Sequence, residues 1–469
     1  MSRKTDRTRL LVGLALAAAL AACSDDEKPA PVAMDEPDAS ANNGTPPGPD
    51  WTLGTLEEGG VGYQPDLVVL PDGTPAAAYY VATGQDAGPC PNFGDGAPDG
   101  VRWPIHYATL DGASWSVEVV AEPFFLGQPP GLSLAVGPDG APAIAALSGD
   151  PLGEPQRYCG ANDVGLYTRT GTGTWDVTTA VTSSGQAASG QPGSDFGEVV
   201  GYWPSLAFDN DGAPAIAYKD VHSGSIQSDD LRRADLELAW RRGGWDAIPV
   251  VIGKGSGDFN RILFDADNNP YIAYYTPWET TEGSNLGVWM TRSVDGGTTW
   301  ESVQLFTKGT AQGPDTAFDA DGTLHLIFYN STKGFPQLAT LDDPDAFTSV
   351  SNGWSLQDLG DSRYDEGYAS SIALSPTGAL AVAYYRCGRA VNGLGECSAA
   401  EDALVFVWRD GATWIREVVD NTSDGGQCGQ KPSLAFDATG RAVIAYTCEV
   451  FVDGALEPQM KYAIRKALP

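Results

Sequence analysis

Residues 203–219 read WPSLAFDNDGAPAIAYK, in which a tight Asp-Asn-Asp-Gly turn separates two short apolar runs. Gly, Asn and Asp tolerate positive φ, so a turn of this composition between apolar runs is a strong hairpin signal. Both runs are apolar without strict alternation, which suits strands covered on both faces. The stretch therefore predicts a buried β-hairpin.

The same hairpin pattern recurs seven times along the chain. The copies begin at Gln64, Gly131, Trp203, Asn260, Gly313, Ala369 and Lys431. A second hairpin follows each of the first six copies and is marked by a tryptophan, at Trp115, Trp175, Trp245, Trp300, Trp354 and Trp414. Self-similarity at this period indicates a repeat architecture, and two hairpins per repeat predict an all-β fold: a seven-bladed β-propeller of four-stranded antiparallel blades.

The last copy lacks its own tryptophan hairpin. Near the carboxyl end, QMKYAIRKA supplies only a third strand, whereas WTLGTLEEGG from Trp51 has the features of an unused fourth strand. We therefore expect the N-terminal strand, residues 51–56, to complete the last blade by pairing with residues 460–465. Such closure removes the exposed strand edges that otherwise favour aggregation.

The hairpin at residues 293–300 carries a recognisable motif, SVDGGTTW, which matches S-x-D-x-G-x-x-W. It resembles the Asp-box, or bacterial neuraminidase repeat, of sialidase-like propellers, where the motif lies between the third and fourth strands. The other hairpins keep the tryptophan but not the full motif. The resemblance implies a structural role, on the face opposite the active site, for Ser293, Asp295, Gly297 and Trp300.

The N-terminus predicts export and lipid anchoring. Four basic residues precede an apolar stretch at 10–22, which is too short for a membrane-spanning helix of about 20 residues and suits a cleavable signal. The following Cys23 completes a sequence that resembles the bacterial lipobox. We expect a signal peptide at 1–22, lipidated Cys23 with a disordered acidic, Pro-rich tether at 23–50, and the propeller at 51–469. The expected location is the outer membrane or cell surface.

Charge limits the possible partners. The chain carries a formal charge of -33, and removing the signal segment, with four basic residues and one acidic residue, leaves -36. Such a charge argues against nucleic acid and anionic lipid surfaces as partners, and we expect a monomeric propeller. Calcium is the one candidate cofactor, at the turns that contain Asp209, Asp265 and Asp319. These turns lack further carboxylates, and a purely structural role in the hairpin explains them more simply.

Six cysteines remain after Cys23, and an even number in an exported chain suggests disulfides. All six fall in or beside the long loops that share one face of the predicted propeller. The preferred pairs among the fifteen possible connectivities are Cys90–Cys159, Cys387–Cys397 and Cys428–Cys448. Stapled loops on a rigid scaffold would form a preorganised binding surface, although protection from proteases explains them equally well.

A sialidase would need carboxylate-binding arginines, a Tyr/Glu nucleophile pair and an acid/base carboxylate. The candidates near the long-loop face are Arg261, Arg363, Tyr364, Asp365, Glu366, Arg386 and Arg389. The family's Phe/Tyr-Arg-Ile-Pro motif is absent, the arginines fall in blades 4–6 rather than around the axis, and surface salt bridges explain them more simply.

Tyrosines also recur at the ends of the second strands: Tyr79, Tyr218, Tyr274, Tyr329, Tyr384 and Tyr446. They could stack on sugars, but packing between blades with their hydroxyls in water is the simpler explanation.

Three functions remain open. The favoured hypothesis is a non-catalytic envelope module that binds a polysaccharide, peptide or protein through the stapled loops. The alternatives are a divergent sialidase-like glycoside hydrolase or lyase, and a scaffold subunit of an envelope complex. A convergent carboxylate pair in an axial pocket would favour the enzyme.

Overall fold

Seven four-stranded antiparallel sheets account for nearly all of the regular structure. The computed structural model describes residues 50–59, 61–81, 86–89, 99–112, 114–125, 131–148, 163–182, 199–221, 234–277, 279–280, 283–308, 313–389, 401–421, 427–452 and 455–468. The expected signal segment, Cys23 and most of the tether lie outside these residues, as do Cys90, Cys159 and Cys397.

Each sheet is one blade, and its four strands follow one another from the axis outward. Blade 1 contains Val61–Val69, Pro75–Val81, Ile105–Asp111 and Ser114–Ala121. Blade 2 contains Leu132–Val136, Pro142–Leu147, Val164–Gly171 and Thr174–Val181. Blade 3 contains Val199–Phe208, Pro214–Val221, Asp235–Arg241 and Trp245–Val251. Blade 4 contains Asp258–Phe264, Pro270–Thr276, Gly287–Arg292 and Glu301–Phe306.

The remaining blades have the same order of strands. Blade 5 contains Asp315–Phe318, Leu324–Asn330, Phe335–Leu341 and Trp354–Asp358. Blade 6 contains Tyr364–Leu374, Leu380–Arg389, Ala403–Asp410 and Thr413–Asp420. Blade 7 contains Gln427–Phe436, Ala442–Val452, Ala455–Arg465 and the N-terminal strand Trp51–Glu57.

Short elements decorate this ring. A three-stranded sheet consists of Asp86–Pro89, Asp99–Arg102 and Phe124–Phe125, and a small hairpin joins Glu279–Thr280 to Gly283–Ser284. Blade 5 also carries a 3-10 turn at Pro344–Ala346 and a helical turn at Val350–Gly353. None of the helices in the described part of the chain has the length and hydropathy needed to span a bilayer.

The predicted seven-bladed propeller and its closure are confirmed. Trp51 pairs with Arg465 and Thr55 with Lys461 in the antiparallel register expected from the sequence. Trp51 is 8% exposed, and its indole N–H donates to Glu417 of blade 6 at 2.7 Å. It therefore occupies the same kind of position as the tryptophan of an uninterrupted blade.

The hydrophobic core lies between blades rather than in one central mass. One cluster joins the inner strands of blades 7 and 1, and similar clusters join other neighbouring blades. Short apolar runs suit this arrangement because each sheet is covered on both faces. Since the strands alternate in direction, the first strand begins and the fourth ends on the same face. That face, which we call the loop face, carries the long connections.

We expect Trp51→Ala to lower the free energy of unfolding by about 3 kcal/mol or more, because it leaves a cavity and removes the hydrogen bond to Glu417. Thr52→Ala, an exposed change on the same strand, should alter stability by less than about 0.5 kcal/mol. Urea unfolding of the two variants and of a chain lacking residues 51–58 measures this. Unchanged stability of the truncated chain would contradict closure by this strand.

Candidate functional site

The first strands share one irregularity where they meet the axis at the loop face. The backbone is left-handed at Gln64, Gly131, Trp203, Phe259, Ala369 and Lys431, with φ from 46° to 100°. In five blades a glycine of positive φ stands two residues earlier, and the pairing with the second strand shifts register over this segment. The backbone therefore brings these residues, which we call the axial residues and which Gly313 joins in blade 5, to the central opening.

Two residues further along each first strand stands a side chain that connects neighbouring blades. These latch residues are Asp66, Ser133, Ser205, Arg261, Asp315, Ser371 and Ser433. Six of them accept a backbone N–H from the next blade at 2.8–3.1 Å: Leu134 to Asp66, Leu206 to Ser133, Ile262 to Ser205, Ile372 to Asp315, Leu434 to Ser371, and Leu67 to Ser433. The contacts thus run around the axis and include the junction of blades 7 and 1.

Blade 4 differs because its latch residue, Arg261, has no acceptor to offer. The N–H of Thr316 in blade 5 bonds instead to the adjacent Asp315, at 2.9 Å. Arg261 Nε lies 3.5 Å from Asp315 Oδ1, and Nη1 lies 3.8 Å from Asp66 Oδ2 of blade 1. Arg261 therefore reaches across the axis and, together with the two carboxylates, forms a charged floor.

Burial and charge act in opposite directions in this floor. Burial raises the pKa of Asp66, an effect that Arg261 and the Leu134 N–H oppose. Burial also works against the charge of Arg261, but Asp66 and Asp315 outweigh it, so the pKa of Arg261 lies above its ordinary value. The protonation state of Asp66 therefore depends on Arg261.

Above the floor, the axial residues line a small cavity of about 110 Å³ that is open to solvent. Trp203 and Phe259 form one wall, with ring centroids 5.0 Å apart. Lys431 stands on another side, where its Nζ lies 5.9 Å from the centre of the Tyr63 ring. Burial lowers the pKa of Lys431 to about 8, although Glu449 opposes the shift.

The predicted site residues do not form one site. Arg261 lies at the axis, contrary to the expectation that the arginines avoid it. Arg363 is an exposed residue paired with Asp361 at 2.5 Å, which fits the salt-bridge explanation. Arg386 is 7% exposed and lies 4.4 Å from the centre of the Tyr364 ring, so for Arg386 the expectation of a surface salt bridge is wrong.

The other candidates lie in the first two strands of blade 6. Arg389 ends the second strand opposite Tyr364, and its side chain lies outside the described structure. Asp365 is buried and accepts the Tyr329 hydroxyl at 2.7 Å. Glu366 is fully buried and binds Arg416 at 2.6 Å, the Tyr384 hydroxyl at 3.2 Å and the Asp361 N–H at 2.7 Å. The Glu366 carboxylate is thus already engaged by neighbouring groups.

The recurring tyrosines of the second strands are hydrogen-bond donors to buried carboxylates, including Asp365 and Glu366. All six pack inside the protein, as favoured from sequence, but the expectation that their hydroxyls lie in water is wrong. Five donate to acidic side chains at 2.5–3.2 Å: Tyr79 to Glu57, Tyr218 to Glu237, Tyr329 to Asp365, Tyr384 to Glu366, and Tyr446 to Asp420. Burial raises the pKa of each of these tyrosines. A contact repeated in five blades stabilises the fold rather than marking one reactive centre.

The described cysteines are disulfide-bonded. Cys428 and Cys448 face each other across the first two strands of blade 7 and form the preferred local pair, with a Cα–Cα distance of 4.1 Å. Cys387 is also disulfide-bonded, and its expected partner Cys397 lies outside the described residues. Within the described residues, the only cluster of three potential metal-ligand atoms is Asp420 with Cys428 and Cys448, whose sulfurs are committed to the disulfide.

The Asp-rich turns use their carboxylates locally. Asp209 accepts the N–H groups of Asp211 and Ala213, and Asp265 and Asp319 make the equivalent bonds in blades 4 and 5. In the hairpin at 293–300, Asp295 accepts the N–H groups of Thr299 and Thr298 and the hydroxyls of Thr299 and Ser293, and these bonds together lower its pKa to about 2. Each such acid organises its own turn.

The axial and latch residues were not identified as a site from sequence. A signal was present in five of the hairpin copies. In each, a five-residue stretch starts two residues before the axial residue: GYQPD, GYWPS, GDFNR, GYASS and GQKPS, at residues 62, 201, 257, 367 and 429. The initial Gly supplies the first positive φ, the third residue is axial and the fifth is the latch. This glycine precedes the apolar run that marks each hairpin, so the hairpin pattern alone does not include it.

Comparison with known proteins does not assign an activity to this site. No protein-family model matches the chain, and no curated protein matches it by sequence. A solved protein of unknown function from Dyadobacter fermentans has a TM-score of 0.45 and 12% identity, over 89% of this chain and 100% of that chain. The NanB sialidase from Streptococcus pneumoniae has a TM-score of 0.43 and 13% identity, over 88% and 70%. For the α-L-arabinofuranosidase arb93a from Fusarium graminearum the values are 0.40 and 13%, over 75% and 93%. We infer no activity from likenesses at this level.

Replacing Arg261 tests the charged floor. In Arg261→Met, Asp66 and Asp315 face each other without a cation, so the already raised pKa of Asp66 should rise further. A carboxyl whose pKa is raised by folding costs stability as pH rises through that pKa. We therefore expect the free energy of unfolding to fall by about 2 kcal/mol at pH 8 and by less towards pH 4. The expected fall is no larger because Arg261 is partly solvated.

Thermal unfolding between pH 4 and 8 measures this difference. The double variant Arg261→Met with Asp66→Asn should recover most of the stability at pH 8, because the amide oxygen can still accept the Leu134 N–H. A loss that is the same at every pH would show that Arg261 acts through packing alone.

Proposed function

We propose that the chain is a non-catalytic binding module of the cell envelope and that its ligand, a polysaccharide, peptide or protein, enters the axial pocket from the loop face. One observation carries the proposal: the axial residues share a similar position, yet they differ widely in side chain, from Gly and Ala to Trp, Phe, Gln and Lys. A repeated framework with different side chains directed at one cavity is suited to recognition.

The state of the carboxylates supports binding rather than glycoside cleavage. A two-carboxylate glycosidase needs an acid and a base or nucleophile about 5–9.5 Å apart, both free to act on the substrate. In the floor, Asp66 and Asp315 accept backbone N–H groups and face Arg261. In blade 6, Glu366 is fully buried and bonded to Arg416. These acids act as structural groups.

The assignment to the envelope rests on the sequence of the N-terminus. The basic start, the short apolar stretch and the lipobox-like residues before Cys23 together support export and lipid attachment. More than one acyl chain would make the anchor stable. The acidic tether would leave the propeller free to turn at the outer membrane or cell surface.

We also assign the hairpin at 293–300 to the Asp-box type, because Ser293 and Asp295 organise its turn as that motif implies. Ser293 accepts the Gly297 N–H at 2.8 Å. The hairpin joins the third and fourth strands and therefore lies on the face opposite the pocket. It supports the fold and takes no part in binding.

A glycan and envelope-extract binding screen with residues 24–469 tests the binding role. We expect a ligand to be retained without product release, and Trp203→Ala to weaken binding at least tenfold. Val294→Ser, an exposed change on the opposite face, should bind like the parent. Thermal unfolding checks that both variants fold. Cleavage of the retained ligand, or equal binding by both variants, would contradict the proposal.

Cys23→Ala tests the anchor. In a bacterial host the parent should fractionate with membranes and carry a lipid on residue 23 by mass spectrometry of its N-terminal peptide. The variant should lack the lipid and appear in the soluble exported fraction, because no acyl chain then holds it to the bilayer. A parent protein that carries no lipid on residue 23 would exclude Cys23 as the anchor.

A further inference from the structure

The axial residues give the pocket two chemically different sides. The inner strands contact one another in the order of blades 1 to 7, and blade 7 meets blade 1. Lys431 and Gln64 therefore stand side by side, and in a ring of seven the aromatic pair of blades 3 and 4 faces them across the opening. Gly131, Gly313 and Ala369 leave space between the two sides.

The polar side holds groups that lack partners within the described residues. Lys431 makes no salt bridge or hydrogen bond to a described residue, although the charge of Glu449 acts on it, and its Nζ lies 5.9 Å from the centre of the Tyr63 ring. The Gln64 side-chain oxygen is buried and accepts no hydrogen bond. Buried polar groups are normally satisfied. The polar side thus offers a cation for an anionic oxygen, and the Gln64 oxygen, which lies beside Gly131, becomes an acceptor for an N–H or O–H donor once its side chain turns towards the opening.

The opposite side is built to hold an apolar group. Asn260 is 3% exposed and fixes the backbone of Trp203 by donating to its carbonyl at 2.7 Å. Its own side-chain oxygen has no partner in the described structure. Pro204 adjoins Trp203 on this side, Leu132, Pro314 and Ser370 lie between the two sides, and Pro65 and Pro432 adjoin Gln64 and Lys431.

This composition disfavours a sugar as the occupant. A sugar presents hydroxyls all round, and each one buried without a partner costs about 1–3 kcal/mol. A residue with one carboxylate, one neighbouring donor and an apolar side chain matches the groups present. Because Arg261 and the two acids lie below, only the end of a chain can enter.

We propose that the axial pocket binds the carboxyl-terminal residue of a peptide, with the terminal carboxylate at Lys431, the backbone N–H at the Gln64 oxygen and an apolar side chain against Trp203 and Phe259. This assignment rests on the proposed binding function and selects the peptide among its possible ligands. It also identifies Lys431 as the residue that distinguishes an anionic end from a neutral one.

Isothermal titration of residues 24–469 with N-acetyl-L-phenylalanine, its neutral amide and D-glucuronate tests the proposal. The acid should bind at least tenfold more tightly than the amide, and Lys431→Gln should remove this preference. Lys431→Arg, which keeps the charge, should retain part of it. Lys254→Gln, a change of an exposed lysine outside the pocket, should behave like the parent. Thermal unfolding establishes that each variant is folded.

Each outcome has a separate meaning. Equal affinity for acid and amide, or a preference that survives Lys431→Gln in a folded variant, overturns the role of Lys431. Binding of D-glucuronate without binding of N-acetyl-L-phenylalanine overturns the peptide and favours an acidic sugar. If neither probe binds while the screen still yields a ligand dependent on Trp203, the peptide assignment fails and the binding function stands. Failure of both experiments removes the binding function itself.

Discussion

Each blade presents the edge of its first strand to the axis, and the hydrogen-bonding needs of this edge are the main constraint on the ring. Backbone N–H groups there have no strand to pair with, and leaving them unpaired away from water is costly. A serine or aspartate of the preceding blade accepts one of these groups in six of the seven junctions. The contact between blades 7 and 1 is of the same kind, so the ring is closed at its centre as well as at its rim.

The latch contacts also determine the backbone geometry at the opening of the pocket. They fix the first strands just below the left-handed residues, so the backbone at the opening is similar from blade to blade while its side chains differ. Gly313 shows how tight this arrangement is, because a Cβ there would lie 2.0 Å from the Cβ of Phe259. A larger residue would separate blades 4 and 5 at the pocket wall.

The fold could be predicted from sequence because its signals are local. Turn residues, apolar runs and the spaced tryptophans specify each blade, and Trp51 could be recognised because it resembles the others. The site could not be predicted in the same way, since it depends on contacts between blades. Nothing near Tyr446 in sequence indicates that Asp420 will receive its hydroxyl, and nothing near Arg261 indicates that Asp66, almost two hundred residues earlier, will face it.

Arg261 shows why a charged residue at the axis need not mean catalysis. A serine at this position would complete the ring of backbone contacts, as it does in four other blades. Arginine forgoes that contact, and Thr316 compensates by bonding to Asp315. What arginine adds is a cation between two acids that would otherwise face each other in a poorly solvated channel. Asp66 and Asp315 neutralise Arg261, whereas Lys431 makes no ion pair within the described residues and feels only the charge of Glu449. This difference is why our proposal assigns the ligand's anionic group to Lys431 and not to Arg261.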